Sequence, residues 1–255
     1  MDVGASFQFL VDALVREWRV IAPDWRGFGQ SSRTQSDCYW FPDYYADLDR
    51  ILDHFSPSAP VDLVGHSMGG NIACIYAGVR PERIRRLVNL EGFGMAPTRS
   101  EDAPRRYARW LDEIKAGAEL RDYDDFHALA LRLRKNNPRL SAERAAFLAR
   151  HWGEETAAGR VRLLSDPAHK IVGAHLYQYA EARACWRAIR APVLWVSGTD
   201  SASPSYMKLG ASDLDARKAC FGDLRERVVD DAGHMLHHDQ PEVLARLLEE
   251  FLLEA

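Results

Sequence analysis

The stretch from Val61 to Gly70, which reads Val-Asp-Leu-Val-Gly-His-Ser-Met-Gly-Gly, decides the fold class of this chain. Its first half is a short, largely apolar run, as is typical of a buried strand. Its second half places Ser67 between glycines, ahead of a helical segment over Asn71–Ala77. In the order strand, turn and helix, Gly-x-Ser-x-Gly predicts a nucleophilic serine on a sharp turn, and a plain glycine-rich loop is the alternative. The pattern favours the nucleophile.

Short apolar strands alternate with amphipathic helices on both sides of this turn. Further strands are predicted over Trp18–Ala22, Leu87–Leu90, Pro192–Val196 and Arg227–Val229. Helices are predicted over Tyr44–Phe55 and after Pro241, where apolar residues recur with helical period. Such alternation predicts an α/β fold with a mostly parallel, doubly wound sheet.

The alternation stops between about Met95 and Arg190, where we predict helices without strands. The helices are expected over Asp122–Lys135, from Ser141, and over Ala174–Ile189. We therefore predict a core made of residues 1–94 and 191–255, with a helical cap, or lid, inserted as residues 95–190. The cap carries 18 Lys and Arg against 13 Asp and Glu. This excess either attracts an anionic substrate or marks a solvated helical surface, and we favour the second.

A serine hydroxyl becomes a good nucleophile only when a base removes its proton. His234 follows a glycine in the loop between the last predicted strand and the last helix, so it is the predicted base. His237 and His238 are close in sequence and could compete. A metal site at these histidines would need further ligands, and the sequence offers no matching set.

Two carboxylates follow predicted strands and could orient the base. Asp200 follows the strand after the cap, and Glu91 follows the strand before it. We predict Asp200 as the acid and keep Glu91 as the alternative, because the order serine, acid, histidine usually takes its acid from the later strand. The N–H of Met68, at the start of a helix, is the predicted oxyanion donor.

These motifs resemble those of the α/β-hydrolase superfamily, in its cap-bearing serine branch. Gly65–Gly70 looks like the nucleophile elbow, and Asp24–Ser31 is similar to the Asp-x-Arg-Gly-x-Gly-x-Ser turn of cap-bearing members. Asp231–His234 with Gln240–Glu242 resembles their catalytic-histidine segment. The resemblance implies an α/β-hydrolase fold and an esterase-like serine hydrolase that forms an acyl-enzyme and needs no cofactor. The expected substrate is a small or medium carboxylic ester.

Two other functions stay open. The first is a carbon–carbon bond hydrolase of the same fold, acting on a diketone-like acid. The second is a catalytically silent member that only binds a ligand.

In the family, a strand and a His-Gly motif, whose loop gives the second oxyanion N–H, precede a segment that resembles Met1–Leu10. We expect Met1 to be internal to a longer natural protein, and the 255-residue form to be poorly soluble or weakly active. The alternative is that the short form is real and that the family's sheet is incomplete in it.

Charge and cysteine content limit the classes of partner that the chain is expected to bind. The formal net charge is −4, which suggests neither nucleic acid nor an anionic membrane as a partner. Four widely spaced cysteines without a Cys-x-x-Cys pair predict reduced thiols and a cytoplasmic protein, with no metal site. The expected partner is a small-molecule substrate, and the sequence leaves the oligomeric state open.

Overall fold

The structure is a computed structural model that describes residues 2–34 and 38–254. Within these residues the strands are β1 Val61–His66, β2 Ile84–Leu90, β3 Asp122–Tyr123, β4 Gly153–Glu155, β5 Val161–Leu163, β6 Val193–Gly198 and β7 Leu224–Val229. The α-helices are α1 Gln8–Asp12, α2 Phe41–Phe55, α3 Met68–Val79, α4 Ala103–Ala116, α5 Phe126–Asn136, α6 Ala142–Trp152, α7 Tyr179–Ala188, α8 Ser203–Tyr206, α9 Ala211–Lys218, α10 Leu236–Asp239 and α11 Pro241–Leu253. Short 3-10 helices cover Gly4–Phe7, Pro81–Arg83, Ser100–Asp102 and Pro167–Lys170.

The central sheet is parallel and has the strand order β1-β2-β6-β7. Leu63 lies opposite Leu87, and Leu87 lies opposite Val193, so the apolar runs of neighbouring strands are in register. Because all four strands point the same way, the loops that follow them emerge at one edge of the sheet. The predicted parallel α/β sheet is confirmed, and its edge brings four loops together.

Burial of the two inner strands anchors this sheet. Leu87, Val88 and Leu90 of β2 are fully buried, as is Val196 of β6. Helix α3 packs against β1, β2 and α7. Each fully buried aliphatic side chain contributes about 1.5–3 kcal/mol to folding, so these strands supply a large share of the unit's stability.

The chain divides into two compact units. One comprises residues 41–103, 176–236 and 243–255 and contains the parallel sheet. The other comprises residues 1–40, 104–175 and 237–242, and its core lies between α5 and α6. Helix α6 begins directly after Ser141, close to the predicted start, and Ser141 caps it because its hydroxyl accepts the N–H of Arg144. The proposed boundaries of core and cap at residues 94 and 190 stay a prediction.

The predicted absence of strands between Met95 and Arg190 is wrong. Strands β3, β5 and β4 form a small antiparallel sheet there. Each has only two or three residues, too few to show an alternating pattern. A cross-strand ion pair also joins β3 to β5, since Arg162 forms a bidentate contact with Asp122, which lies opposite it. The guanidinium of Arg162 lowers the pKa of Asp122.

The predicted helix over Asp122–Lys135 begins later, at Phe126. Its N-cap is Asp125, whose carboxylate accepts the N–H of Ala128 2.7 Å away. The two residues at the start of the predicted range, Asp122 and Tyr123, belong to β3 instead. The helix ends at Asn136, one residue after the predicted end at Lys135.

The predicted strand at Trp18–Ala22 is also wrong. These residues form no ladder with any part of the chain that the structure describes. Val20 and Ile21 are 46% and 40% exposed. β-branched residues favour extended backbone, but a strand also needs a neighbour to accept and donate its backbone hydrogen bonds.

No helix in residues 2–34 and 38–254 has the length and apolar character needed to cross a membrane.

Two neighbouring histidines are buried together beneath the N-terminal segment. The Oγ of Ser6 lies 3.0 Å from Nε2 of His237 and 2.6 Å from Nε2 of His238. All three residues are at most 2% exposed. Burial lowers the pKa of His238 to about 4. Neither histidine is therefore placed as a rival base, and both serve the packing of their unit.

This burial predicts acid sensitivity of the fold. The unfolded chain protonates His238 near its ordinary pKa of 6.5, whereas the folded chain does so only near 4. Above pH 6.5, His238 is neutral in both states and does not reduce the free energy of unfolding. As the pH falls from 6.5 towards 4, the unfolded chain gains a proton that the folded chain does not, so the free energy of unfolding decreases by about 3 kcal/mol. Urea unfolding at several pH values measures this slope. His238→Asn should flatten it, whereas His127→Asn, at an exposed position, should leave it unchanged. Equal slopes in the parent and His238→Asn would contradict the account.

Candidate active site

Ser67 occupies a strained turn between β1 and α3. Its backbone has φ +52° and ψ −113°, a combination that residues with a Cβ rarely adopt and that costs about 1–3 kcal/mol. Two backbone hydrogen bonds hold it. The Ser67 N–H donates to Leu90 O at 2.8 Å, and the Asn71 N–H donates to Ser67 O at 3.0 Å. The predicted strand, turn and helix around Ser67 are all present.

The glycine before this turn is required by close approach. A Cβ at position 65 would lie 2.4 Å from the carbonyl oxygen of Gly69 and 2.6 Å from its carbonyl carbon. Both atoms belong to the backbone of α3, which cannot move aside as a flexible side chain could. Gly65 therefore lets the helix begin directly over the end of β1.

His234 lies beside Ser67, where the sequence places the base. Its Nε2 is 2.9 Å from Ser67 Oγ. His234 sits in the loop between β7 and α10, and a neighbour of the serine fixes that loop. Nε2 of His66 donates to the carbonyl oxygen of His234 at 2.7 Å, and the two imidazole centroids are 4.8 Å apart. His66, at the end of β1, thus fixes the backbone of His234 in the loop after β7.

Glu91 provides the carboxylate at the other ring nitrogen. Its Oε2 is 3.1 Å from His234 Nδ1. The Glu91 side chain is fully buried, whereas that of His234 is 36% exposed. The carboxylate also accepts the N–H of Gly198 at 2.9 Å and the hydroxyl of Ser201. A buried carboxylate needs such donors, because an unpaired buried charge is very costly.

The sequence predicts Asp200 for this position, but the structure places the carboxylate of Glu91 there instead. Asp200 is exposed, and its backbone N–H donates to Ala232 O at 3.0 Å. The backbone there is tightly packed, since a Cβ at Gly198 would lie 2.2 Å from Ala232 O. With the backbone packed in this way, the hydroxyl of Ser201 contacts the buried Glu91, and the carboxylate of Asp200 lies exposed.

The turn that carries Glu91 is built by a buried amide. Glu91 has φ +58°, and its N–H donates to Val196 O, which extends the pairing of β2 with β6. Asn89 is fully buried and bonds both backbone groups of Gly92, donating to its carbonyl at 2.9 Å and accepting its N–H at 3.0 Å. These bonds fix the direction in which the Glu91 side chain leaves the strand.

Met68 is the first residue of α3, as the predicted oxyanion role requires. The first four N–H groups of a helix have no acceptor within the helix, and the helix dipole makes this end partly positive. A backbone N–H in this position can stabilise an oxygen that gains negative charge near Ser67.

Sequence reasoning missed two hydroxyls in the loop after β6. Ser201 bonds Glu91, and the Oγ of Ser203 lies 2.8 Å from His234 Nδ1. Their position at the carboxyl end of a predicted strand was a usable signal, because side chains at that edge converge. Serines are common in loops, however, so residue type alone did not single them out.

Comparison with known proteins assigns the family. The profile of the alpha/beta hydrolase fold matches residues 2–241. The chain therefore belongs to the α/β-hydrolase fold family. Among solved structures, the thioesterase domain from the curacin biosynthetic pathway superposes with a TM-score of 0.84 and 27% identity, covering 97% of this chain and 87% of that one.

Curated relatives include several hydrolases. A serine hydrolase-like protein of Danio rerio is 30% identical over 166 residues, which are 63% of this chain and 51% of that protein. A 2-hydroxymuconate semialdehyde hydrolase of a Pseudomonas species is 39% identical over 93 residues, 36% of this chain and 32% of that protein. The chain thus spans about half the length of the first and a third of the second. Both relatives are named as hydrolases, which agrees with the family assignment.

The close approach at Gly65 predicts a measurable loss of stability. Gly65→Ala should destabilise the protein by about 1–3 kcal/mol, because its methyl group would overlap the backbone of Gly69. Gly222→Ala is the matched control, since a Cβ there meets nothing within 4 Å. It should change stability by less than about 0.5 kcal/mol. Denaturant midpoints measure both, and equal midpoints for the two variants would show that the turn tolerates a side chain.

Proposed function

We propose that the protein is a serine hydrolase that cleaves small or medium carboxylic esters through an acyl-enzyme. The observation that carries the proposal is one continuous hydrogen-bonded chain from Ser67 Oγ through the ring of His234 to the carboxylate of Glu91, with contacts of 2.9 and 3.1 Å. Each member suits one role: nucleophile, base and orienting acid.

In the first half-reaction, Ser67 Oγ attacks the ester carbonyl carbon while its proton passes to Nε2 of His234. The resulting imidazolium is stabilised by the buried carboxylate of Glu91 on Nδ1. The carbonyl oxygen becomes an oxyanion, towards which Met68 donates its N–H. His234 then gives the proton to the leaving alcohol, and the carbonyl reforms as an acyl ester of Ser67.

In the second half-reaction, water takes the place of the alcohol. Nε2 of His234 removes a proton from water as the water attacks the acyl carbon. Collapse of the second tetrahedral intermediate returns the proton to Ser67 and releases the acid. All these steps use side chains, backbone N–H groups and water. The proposed partner is therefore a small-molecule substrate, without a cofactor.

A second candidate is hydrolysis of a carbon–carbon bond next to a carbonyl. The 39% identity to the 2-hydroxymuconate semialdehyde hydrolase favours it, although that match covers only 36% of this chain. An ester is preferred, because its alcohol leaving group needs only the proton that His234 already carries. Measuring both substrate classes with the same preparation discriminates the two candidates.

Removing the nucleophile tests the proposal. Ser67→Ala should lower turnover of a p-nitrophenyl acyl ester by several orders of magnitude with the fold intact, because the acyl-enzyme cannot form. Ser205→Ala is the control, since Ser205 is an exposed serine outside the hydrogen-bonded chain.

A fluorophosphonate probe gives a second, substrate-independent readout. The parent and Ser205→Ala should be labelled, and Ser67→Ala should not, because labelling requires an activated serine. Turnover of Ser67→Ala within tenfold of the parent would overturn the assignment of the nucleophile. A parent protein that is folded but unlabelled would instead support a silent, ligand-binding member of the family.

A further inference from the structure

The Nδ1 atom of His234 has two oxygen neighbours, although this nitrogen can carry only one hydrogen. Glu91 Oε2 lies 3.1 Å away, and Ser203 Oγ lies 2.8 Å away. The hydroxyl is therefore the nearer of the two. The proposed roles of Ser67, His234 and Glu91 do not require this second contact.

The buried carboxylate determines which atom carries the hydrogen. Glu91 is fully buried, and an ionised carboxylate can only accept hydrogen bonds. A bare Nδ1 would place its lone pair against that negative oxygen. Nδ1 therefore carries the hydrogen, and Nε2 is left free to accept the proton of Ser67. The oxygen of Ser203 must then also act as an acceptor, in a three-centred hydrogen bond.

The loop after β6 holds Ser203 in place independently of the histidine. Ser203 is the first residue of α8, and Pro204 follows it with a fixed backbone angle. The Ser203 N–H lies 3.3 Å from the Oγ of Ser201, and Ser201 donates in turn to Glu91 Oε2. Both acceptors of the Nδ1 hydrogen are thus tied to each other through Ser201.

We propose that Ser203 is a positioning residue that shares the Nδ1 hydrogen of His234 with Glu91 and keeps the imidazole in the tautomer that can accept the proton of Ser67. This inference rests on the proposed roles of Ser67 and His234. It adds a second anchor, which does not touch the substrate's reacting atoms and acts only through the histidine. When His234 becomes an imidazolium, the hydrogen bond to Ser203 becomes charge-assisted and strengthens.

Loss of the Ser203 hydroxyl should slow turnover and leave substrate binding unchanged. Ser203→Ala should lower kcat on a p-nitrophenyl ester by about 3–10-fold, as expected for the loss of one hydrogen bond. KM should stay within about twofold, because the contact acts on the histidine and strengthens in the transition state. Ser203→Thr keeps the hydroxyl and should retain most of the parent's kcat. Ser205→Ala, in the same short helix but exposed, should match the parent.

Coupling to the acid separates this role from simple packing. In a Glu91→Ala background Ser203 becomes the main anchor of Nδ1, so adding Ser203→Ala should cost a larger factor in kcat than it costs in the parent. Two residues that share one hydrogen are expected to be non-additive in this direction. Equal factors in the two backgrounds would contradict a shared hydrogen.

The closing experiment measures kcat and KM for this series together with the Nδ1–H proton resonance of His234, identified by its absence in His234→Asn. Ser203→Ala should shift that resonance, and Ser205→Ala should not. The inference is overturned if Ser203→Ala leaves both kcat and the resonance unchanged, if it raises kcat, or if Ser203→Thr loses as much as Ser203→Ala. These results differ from failure of the proposed function, which would appear as retained turnover in Ser67→Ala.

Discussion

The buried carboxylate of Glu91 is the interaction on which the rest of the site depends. It is fully buried, so folding must supply hydrogen-bond donors in place of water. The donors come from two further loops: Gly198 and Ser201 follow β6, and His234 follows β7. One charge therefore holds three strand ends together. Removing any donor would leave the carboxylate less satisfied, which is costly in a buried position.

The parallel sheet makes this convergence possible. Strands β1, β2, β6 and β7 run in the same direction, so the loops bearing Ser67, Glu91, Ser201 and His234 share one edge. Close backbone packing then sets the details. Gly65 lets α3 start directly over β1, and the strained backbone of Ser67 is held by bonds to Leu90 and Asn71. The fold thus supplies both the direction of each side chain and the rigidity that proton transfer at fixed distances requires.

Much of this arrangement could be predicted from the sequence, because its strongest signals are local. A Gly-x-Ser-x-Gly motif between a strand and a helix predicts the turn at Ser67, and a glycine before His234 in the last loop predicts the candidate base. Both candidate acids were recognisable as carboxylates after strands. Local pattern could not choose between them, since the choice depends on contacts between distant segments. The bond from the Asp200 N–H to Ala232 O is one such contact.

Contacts between distant segments also explain why the sequence predicts other elements wrongly. The apolar run at Trp18–Ala22 has the composition of a strand, but pairing requires a neighbour that composition does not reveal. The short strands that contain Asp122 and Arg162 pair with each other across 40 sequence positions, and a cross-strand ion pair joins these two residues. The hydroxyl of Ser203 is ordinary in sequence, and only its distance to His234 gives it importance.

The most direct test of the account compares two substitutions at the candidate acids on one p-nitrophenyl ester. Glu91→Gln keeps the shape of the side chain but removes its charge, so it should lower kcat by about 10³–10⁴, the scale of an amide replacement in a serine protease triad. Asp200→Asn, at an exposed position, should stay within about threefold of the parent. The opposite result, with Asp200→Asn severely impaired and Glu91→Gln close to the parent, would show that the acid is Asp200 and would contradict the central claim.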